Sequence, residues 1–303
     1  MSNYTEISFT SDDGLRLSAR DYAAGAQAGA AAGHADAAHL PAHLPVLCLH
    51  GLTRNASDFD EFAPRVAALG RRVLALDVRG RGRSARDPDP DNYNPKVYAN
   101  DVETLLNGLG IERAIFVGTS MGGLITMTLA ARNIERVAAA VLNDIGPVIS
   151  AKGLARIAGY AGNSPRPASW GEAADVVKEI NRCAFPDNPD SEWDKWARRA
   201  FEPDDDGRLR PRYDPNIAIS LRDGKLRPTS LGARKAFRAL TGQRPTLLVR
   251  GALSDLVETA QADWMRRAAP SMEYVEVPNV GHAPMLTEPP AFDAIARFLA
   301  RVV

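Results

Sequence analysis

Cysteine is scarce in this chain: Cys48 and Cys183 are the only two in 303 residues. Cys48 sits inside an apolar run and Cys183 lies in a segment of different composition. The pair therefore reads as two unpaired thiols of a reducing compartment, not as a disulfide framework. Excess charge of either sign is also missing, since 37 Lys and Arg balance 37 Asp and Glu. No global field is available to gather nucleic acid or an anionic membrane surface. No apolar run approaches the roughly 18 to 20 residues that span a bilayer. The opening Met1-Ser2-Asn3-Tyr4-Thr5-Glu6 has neither the basic nor the apolar part of a signal peptide. These absences lead us to expect a cytoplasmic location, with neither nucleic acid nor membrane as partner. Histidine is limited to five residues, which shortens any search for a general base.

The rest of the composition, 45% hydrophobic and 24% charged, is that of a globular chain long enough to bury a large core. Tyr4 to Phe9 and Leu15 to Tyr22 alternate apolar and polar residues across Asp12-Asp13-Gly14, the pattern of a β-hairpin. Residues 23–45 are rich in Ala and Gly and carry His34, His39 and His43. No carboxylate or cysteine cluster accompanies these histidines, so the stretch is expected to be a flexible surface insertion and not a metal site. Short apolar runs then alternate with helical periodicity. Strands are expected at Pro45 to Leu49, Arg72 to Leu76, Ala114 to Val117 and Val137 to Leu142. Helices are expected at Ser57 to Leu69, Val97 to Leu109 and Met121 to Arg132. Such alternation calls for a parallel sheet covered on both faces. The rhythm breaks from about Ile149 to Gln243, where the spacing is helical, prolines are frequent and no strand is evident. It resumes with strands at Pro245 to Val249 and Met272 to Val277 and helices at Thr259 to Ala268 and Ala291 to Val302. The expected organisation is a core of residues 1–148 and 244–303, interrupted by a helical lid at 149–243. One of its tryptophans, Trp170, Trp193 or Trp196, is expected at a pocket. The acidic run Glu202-Pro203-Asp204-Asp205-Asp206-Gly207 lacks the alternating ligand spacing of a calcium loop and reads as a solvated turn.

The chemistry centres on Gly118-Thr119-Ser120-Met121-Gly122-Gly123, directly after the apolar run Ala114-Ile115-Phe116-Val117. A strand that ends in G-x-S-x-G and runs straight into a helix forms a nucleophile elbow, with the serine hydroxyl exposed at the turn. Small residues two positions away on each side leave room for that turn. A serine hydroxyl needs an adjacent base to act as a nucleophile. Three of the five histidines lie in the 23–45 stretch, and His50 reads as a structural residue. This leaves His282, in Gly281-His282-Ala283-Pro284, between the last strand and the last helix. A carboxylate must fix the tautomer of that histidine. Asp255, after the strand at 246–249, gives the chain order Ser, Asp, His and is the expected acid. Asp144, at the end of the preceding strand, is the rival and is expected instead to cap the turn before Gly146-Pro147. Donors to an oxyanion are expected from the backbone N–H groups of Met121 and Leu52, with Gly51 allowing close approach.

Taken together, Leu49-His50-Gly51, the Asp77-to-Ser84 turn, Gly118 to Gly123, Asp255 and Gly281-His282 make the chain resemble the α/β-hydrolase fold superfamily. The resemblance covers nearly everything outside residues 23–45 and the lid. It implies a mostly parallel eight-stranded sheet with helices on both faces and a helical lid after the sixth strand. It also implies a Ser-His-Asp hydrolase of a small molecule, with no cofactor and no metal. A carboxylic-ester hydrolase acting through an acyl-enzyme on Ser120 is the first expectation. A lactonase, or a hydrolase of a carbon–carbon bond in a ring-cleavage product, is the alternative. A small-molecule receptor with an intact triad is a third.

Overall fold

The computed structural model describes residues 3–25, 43–223 and 228–302. Most of the expected 23–45 insertion, including His34 and His39, lies outside the described residues. The elements run in the order β1 (Thr5–Thr10), β2 (Arg16–Tyr22), β3 (Val46–Leu49), α1 (Phe62–Ala67), β4 (Val73–Asp77), α2 (Pro95–Gly108), β5 (Ala114–Thr119), α3 (Met121–Arg132) and β6 (Val137–Asn143). Then come α4 (Ala151–Tyr160), α5 (Trp170–Asn181), α6 (Asp190–Ala200), β7 (Phe201–Pro203), β8 (Leu209–Pro211), α7 (Ile219–Arg222) and α8 (Leu231–Gln243). The chain closes with β9 (Thr246–Gly251), α9 (Thr259–Ala268), β10 (Glu273–Val277) and α10 (Pro289–Ala300).

Eight strands form one sheet in the order β1-β2-β4-β3-β5-β6-β9-β10. The β1–β2 hairpin is antiparallel, β2 meets β4 antiparallel, and the remaining neighbours are parallel. The central strands β3, β4, β5, β6 and β9 are buried almost throughout because both faces are covered, whereas the edge strands β1 and β10 are more polar and more exposed. Alternate residues go to opposite faces. Leu47, Leu49, Leu74, Leu76 and Phe116 join α2, α3, α8 and α9 in one core. Val46, Cys48, Val73, Ala75, Ile115 and Val117 join α1 and α10 in the other.

Three details differ from the sequence expectation. The helix expected over 57–69 divides into a 3₁₀ turn at Ala56–Phe59 and α1. Pro64 has no N–H to offer the carbonyl of residue 60, so a regular helix cannot run unbroken through both parts. The segment between β6 and β9 contains a two-stranded antiparallel ribbon, β7–β8, around the acidic run. Asp204 and Asp206 pair there with Arg166. Finally, α8 packs on α3 and buries Phe237 and Leu240 completely. Each such side chain contributes about 1.5–3 kcal/mol of transfer free energy. This last helix of the 149–243 stretch is therefore part of the sheet's own covering layer.

Candidate active site

β5 delivers its chain to the C-terminal edge of the sheet, and Ser120 makes the turn into α3 with φ 51° and ψ −113°. That left-handed backbone is uncommon for a residue with a side chain. It is held by the Ser120 N–H donating to the Asn143 carbonyl at 3.0 Å and by the Gly123 N–H donating to the Ser120 carbonyl at 2.9 Å. The glycines of the elbow are set by contact. A Cβ on Gly118 would lie 2.5 Å from the backbone of Gly122 and Gly123, and one on Gly122 would strike the Leu49 backbone.

His282 follows β10 in a loop tied down by the Gly281 N–H, which donates to the Ala184 carbonyl at 2.6 Å. The Ser120 hydroxyl reaches His282 Nε2 at 2.9 Å, and His282 Nδ1 reaches Asp144 Oδ2 at 2.7 Å. A carboxylate only accepts, so Nδ1 carries the proton and Nε2 presents its lone pair to the serine. Asp144 is fully buried. The Gly251 N–H donates to its Oδ1 at 3.1 Å and the Ser254 hydroxyl donates to its Oδ2 at 2.6 Å. Asn143, next in the chain, donates from Nδ2 to the Pro284 carbonyl at 2.7 Å and to Thr119 Oγ1 at 3.0 Å. It thereby joins the histidine loop to the elbow.

The structure thus corrects the expected acid. Asp144, not Asp255, meets His282, and its carboxylate accepts from Gly251, Ser254 and His282 where a cap of the Gly146-Pro147 turn was expected. Asp144 takes φ 54° at the end of β6, one strand closer to Ser120 in the sheet. Asp255 points to the inserted segment and forms a bidentate pair with Arg156 of α4, at 2.5 and 2.8 Å. Burial pushes the Asp255 carboxyl upward, but the Arg156 hydrogen bonds and charge outweigh this and hold it below the usual carboxylate range.

The two expected oxyanion donors lie at the same site. Leu52 and Gly51 share the cavity wall with Ser120. Met121 is the first residue of α3, so its N–H is one of the four a helix leaves without an internal acceptor. A residue to which the sequence reading gave no role connects the two. Arg81, 1% exposed, donates from Nε to the Leu52 carbonyl at 3.0 Å and from Nη2 to Met121 Sδ at 3.4 Å. Its Nη1 donates to the Arg79 carbonyl and the Tyr98 hydroxyl. The glycines alternating with arginine from Arg79 to Ser84 signalled a turn. They did not indicate that Arg79 and Arg81 both turn inward. His50 holds the other end of this arm: its Nε2 accepts the Val78 N–H at 3.1 Å and its Nδ1 lies 2.8 Å from the Gly51 carbonyl. Burial lowers its pKa to about 4, which keeps the ring neutral.

Ser120 and His282 open into a cavity of about 850 Å³, within the size range of small-molecule sites. The inserted segment supplies much of its wall, including Ile157, Tyr160, Ile180, Phe185 and Trp196. Of the three tryptophans, Trp196 is the one at the cavity. Trp193 packs edge-on against it with ring centroids 5.2 Å apart, and Trp170 lies beneath Arg198. Arg54, a cation on the cavity wall, is held bidentately by Asp58 at 2.7 and 2.9 Å. Among the described residues no helix is long and apolar enough to cross a membrane.

The comparisons with known proteins agree with this architecture. Residues 45–289 match the family described as alpha/beta hydrolase fold. A 3-hydroxybutyrate-oligomer hydrolase of Cupriavidus necator is 35% identical over 252 residues, covering 80% of this chain and 84% of the relative. A 2-(acetamidomethylene)succinate hydrolase of Mesorhizobium japonicum is 28% identical, over 78% and 81% of the two chains. A crystal structure of an alpha/beta hydrolase from Novosphingobium aromaticivorans superposes with a TM-score of 0.87 at 41% identity, covering all of both chains. With an eight-stranded sheet in this order and a match over most of its length, the chain belongs to the α/β-hydrolase fold family.

Proposed function

We propose that the protein is a serine hydrolase that cleaves a carboxylic ester of a small or medium-sized molecule. The observation that carries this reading is the unbroken line Ser120 Oγ, His282 Nε2, His282 Nδ1, Asp144 Oδ2, whose first two residues line a largely apolar cavity. Ser120 attacks the ester carbonyl as His282 Nε2 takes its proton, and Asp144 stabilises the imidazolium. The N–H groups of Leu52 and Met121 receive the developing oxyanion, an interaction worth about 3–4 kcal/mol per donor. His282 returns the proton to the departing alcohol, leaving the acyl group on Ser120. A water molecule, deprotonated by the same imidazole, then releases the acid. The segment after β6 acts as the lid and shapes the pocket through Tyr160, Phe185 and Trp196. A relative described as a 3-hydroxybutyrate-oligomer hydrolase, aligned over most of the chain, supports an ester substrate, since a hydroxy acid oligomerises through ester bonds.

The test is turnover of p-nitrophenyl acetate and butyrate and of 3-hydroxybutyrate dimer and trimer, alongside labelling by a serine-reactive phosphonate. Hydrolysis of at least one ester and a single phosphonate adduct on Ser120 are expected. Ester turnover that survives Ser120→Ala would overturn the reading, and so would phosphonate attached elsewhere. Binding of these esters without turnover would favour a receptor.

A further inference from the structure

Ser254 is 5% exposed and stands in the turn after β9. Its hydroxyl donates to Asp144 Oδ2 at 2.6 Å, the same oxygen that accepts His282 Nδ1–H at 2.7 Å. Its own oxygen accepts the backbone N–H groups of Leu256 at 3.2 Å and Val257 at 3.0 Å. A hydroxyl has one hydrogen and two lone pairs. With two N–H groups directed at the oxygen, the hydrogen is left to point at Asp144.

The position of the serine is itself fixed from the inserted segment. The Leu256 carbonyl accepts the Ser150 N–H at 2.8 Å. Gly153 of α4 lies so close that a Cβ there would be 2.5 Å from the Asp255 carbonyl oxygen. A carboxylate can turn about its Cβ–Cγ bond with only a broad preference. Two anchors on different oxygens, the Gly251 N–H on Oδ1 and Ser254 on Oδ2, remove that freedom.

We propose that Ser254 is a positioning residue for the hydrolase reaction, fixing the plane of the Asp144 carboxylate so that Oδ2 meets His282 Nδ1. The proposal rests on the assignment of Ser120, His282 and Asp144 made above. It acts through Asp144 and touches no substrate.

The test compares Ser254→Ala, Ser254→Thr and Ser254→Cys with the parent enzyme on a p-nitrophenyl ester, alone and in an Asp144→Asn background. A hydrogen bond to a charged group makes about a tenfold fall in kcat the expected result for Ser254→Ala, with KM within about twofold. Ser254→Thr keeps the hydroxyl and should recover most of kcat. In Asp144→Asn the same alanine change should cost almost nothing more, because its effect is routed through the carboxylate. The low-field proton resonance of His282 Nδ1–H should shift or broaden in Ser254→Ala. If the alanine variant does not fold, Ser254→Cys, of similar size but a weak donor, is read by the same criteria. A kcat within twofold of the parent in the variant read overturns the proposal. So does an equal tenfold loss in the Asp144→Asn background. If Ser120→Ala keeps its activity, the failure belongs to the assigned triad instead.

Discussion

The loops that follow β6 and β9 each carry an aspartate at the C-terminal edge of the sheet, on neighbouring strands, yet the two carboxylates have opposite surroundings. Asp144 is fully buried and accepts from a histidine, a serine and a backbone N–H. Asp255 is half-buried and faces an arginine from the inserted segment. One loop turns its carboxylate inward by placing Asp144 at φ 54°. The other turns its carboxylate outward, and its preceding residue, Ser254, reaches back to the first. Proximity to the strand end is thus common to both, and the identity of the hydrogen-bond donor separates them.

The sharpest way to break this comparison is to remove one carboxylate's charge at a time. Asp144→Asn should lower kcat by about 10³ to 10⁴, since an amide facing His282 favours the wrong tautomer. Should Asp255→Asn be the inactive variant and Asp144→Asn the active one, the assignments must be exchanged. Ser120→Ala should match or exceed that loss, at about 10⁴-fold or more, while its circular dichroism stays that of the parent.

A smaller effect is expected on the oxyanion arm, where Arg81→Met removes the donor to the Leu52 carbonyl and keeps an unbranched stem. The Leu52 peptide loses its buried partner, so kcat should fall by about 10- to 100-fold. A kcat equal to the parent's would separate Arg81 from catalysis. His50 provides a stability measurement instead. Its folded-state pKa of about 4 lies below the ordinary histidine value. The unfolded chain therefore binds the proton first. The contribution to stability is complete above about pH 6.5 and is lost as pH falls toward 4, about 3 kcal/mol in all. Urea unfolding from pH 7.5 to 4 should show a flatter dependence for His50→Gln, and parallel curves would refute the assignment.

The smallest effect belongs to Asp255→Asn. The pair with Arg156 is partly exposed and reached by solvent, so about 1 kcal/mol of stability should be lost. The kcat should stay within about threefold, with any change appearing in KM through the α4 wall of the cavity. A kcat loss as large as that of Asp144→Asn would erase the distinction between the two loops.

Most of the core was legible because its signals are local. The strands β3 to β6, the elbow and its serine follow from apolar runs of fixed period and from glycines at fixed offsets. His282 followed from scarcity, once the other four histidines had been set aside. Which aspartate meets His282 was not legible. That choice depends on Arg156, 99 positions from Asp255 along the chain, and on a backbone angle at Asp144 that no residue type announces. The ribbon β7–β8 escaped notice because each strand is three residues long and ends in proline. The place of α8 escaped because an amphipathic pattern reveals a buried face without naming what covers it.

Ser120 and Asp144 are two of the four described non-glycine residues at positive φ, beside Asn279 and Leu286. Each such conformation costs on the order of 1–3 kcal/mol. Both lie on the hydrogen-bonded line through His282, one at either end. Heat tolerance and turnover therefore pull in opposite directions at these positions. A library selected only for survival at high temperature should accumulate glycine at position 120, and the most durable survivors would be proteins that no longer work.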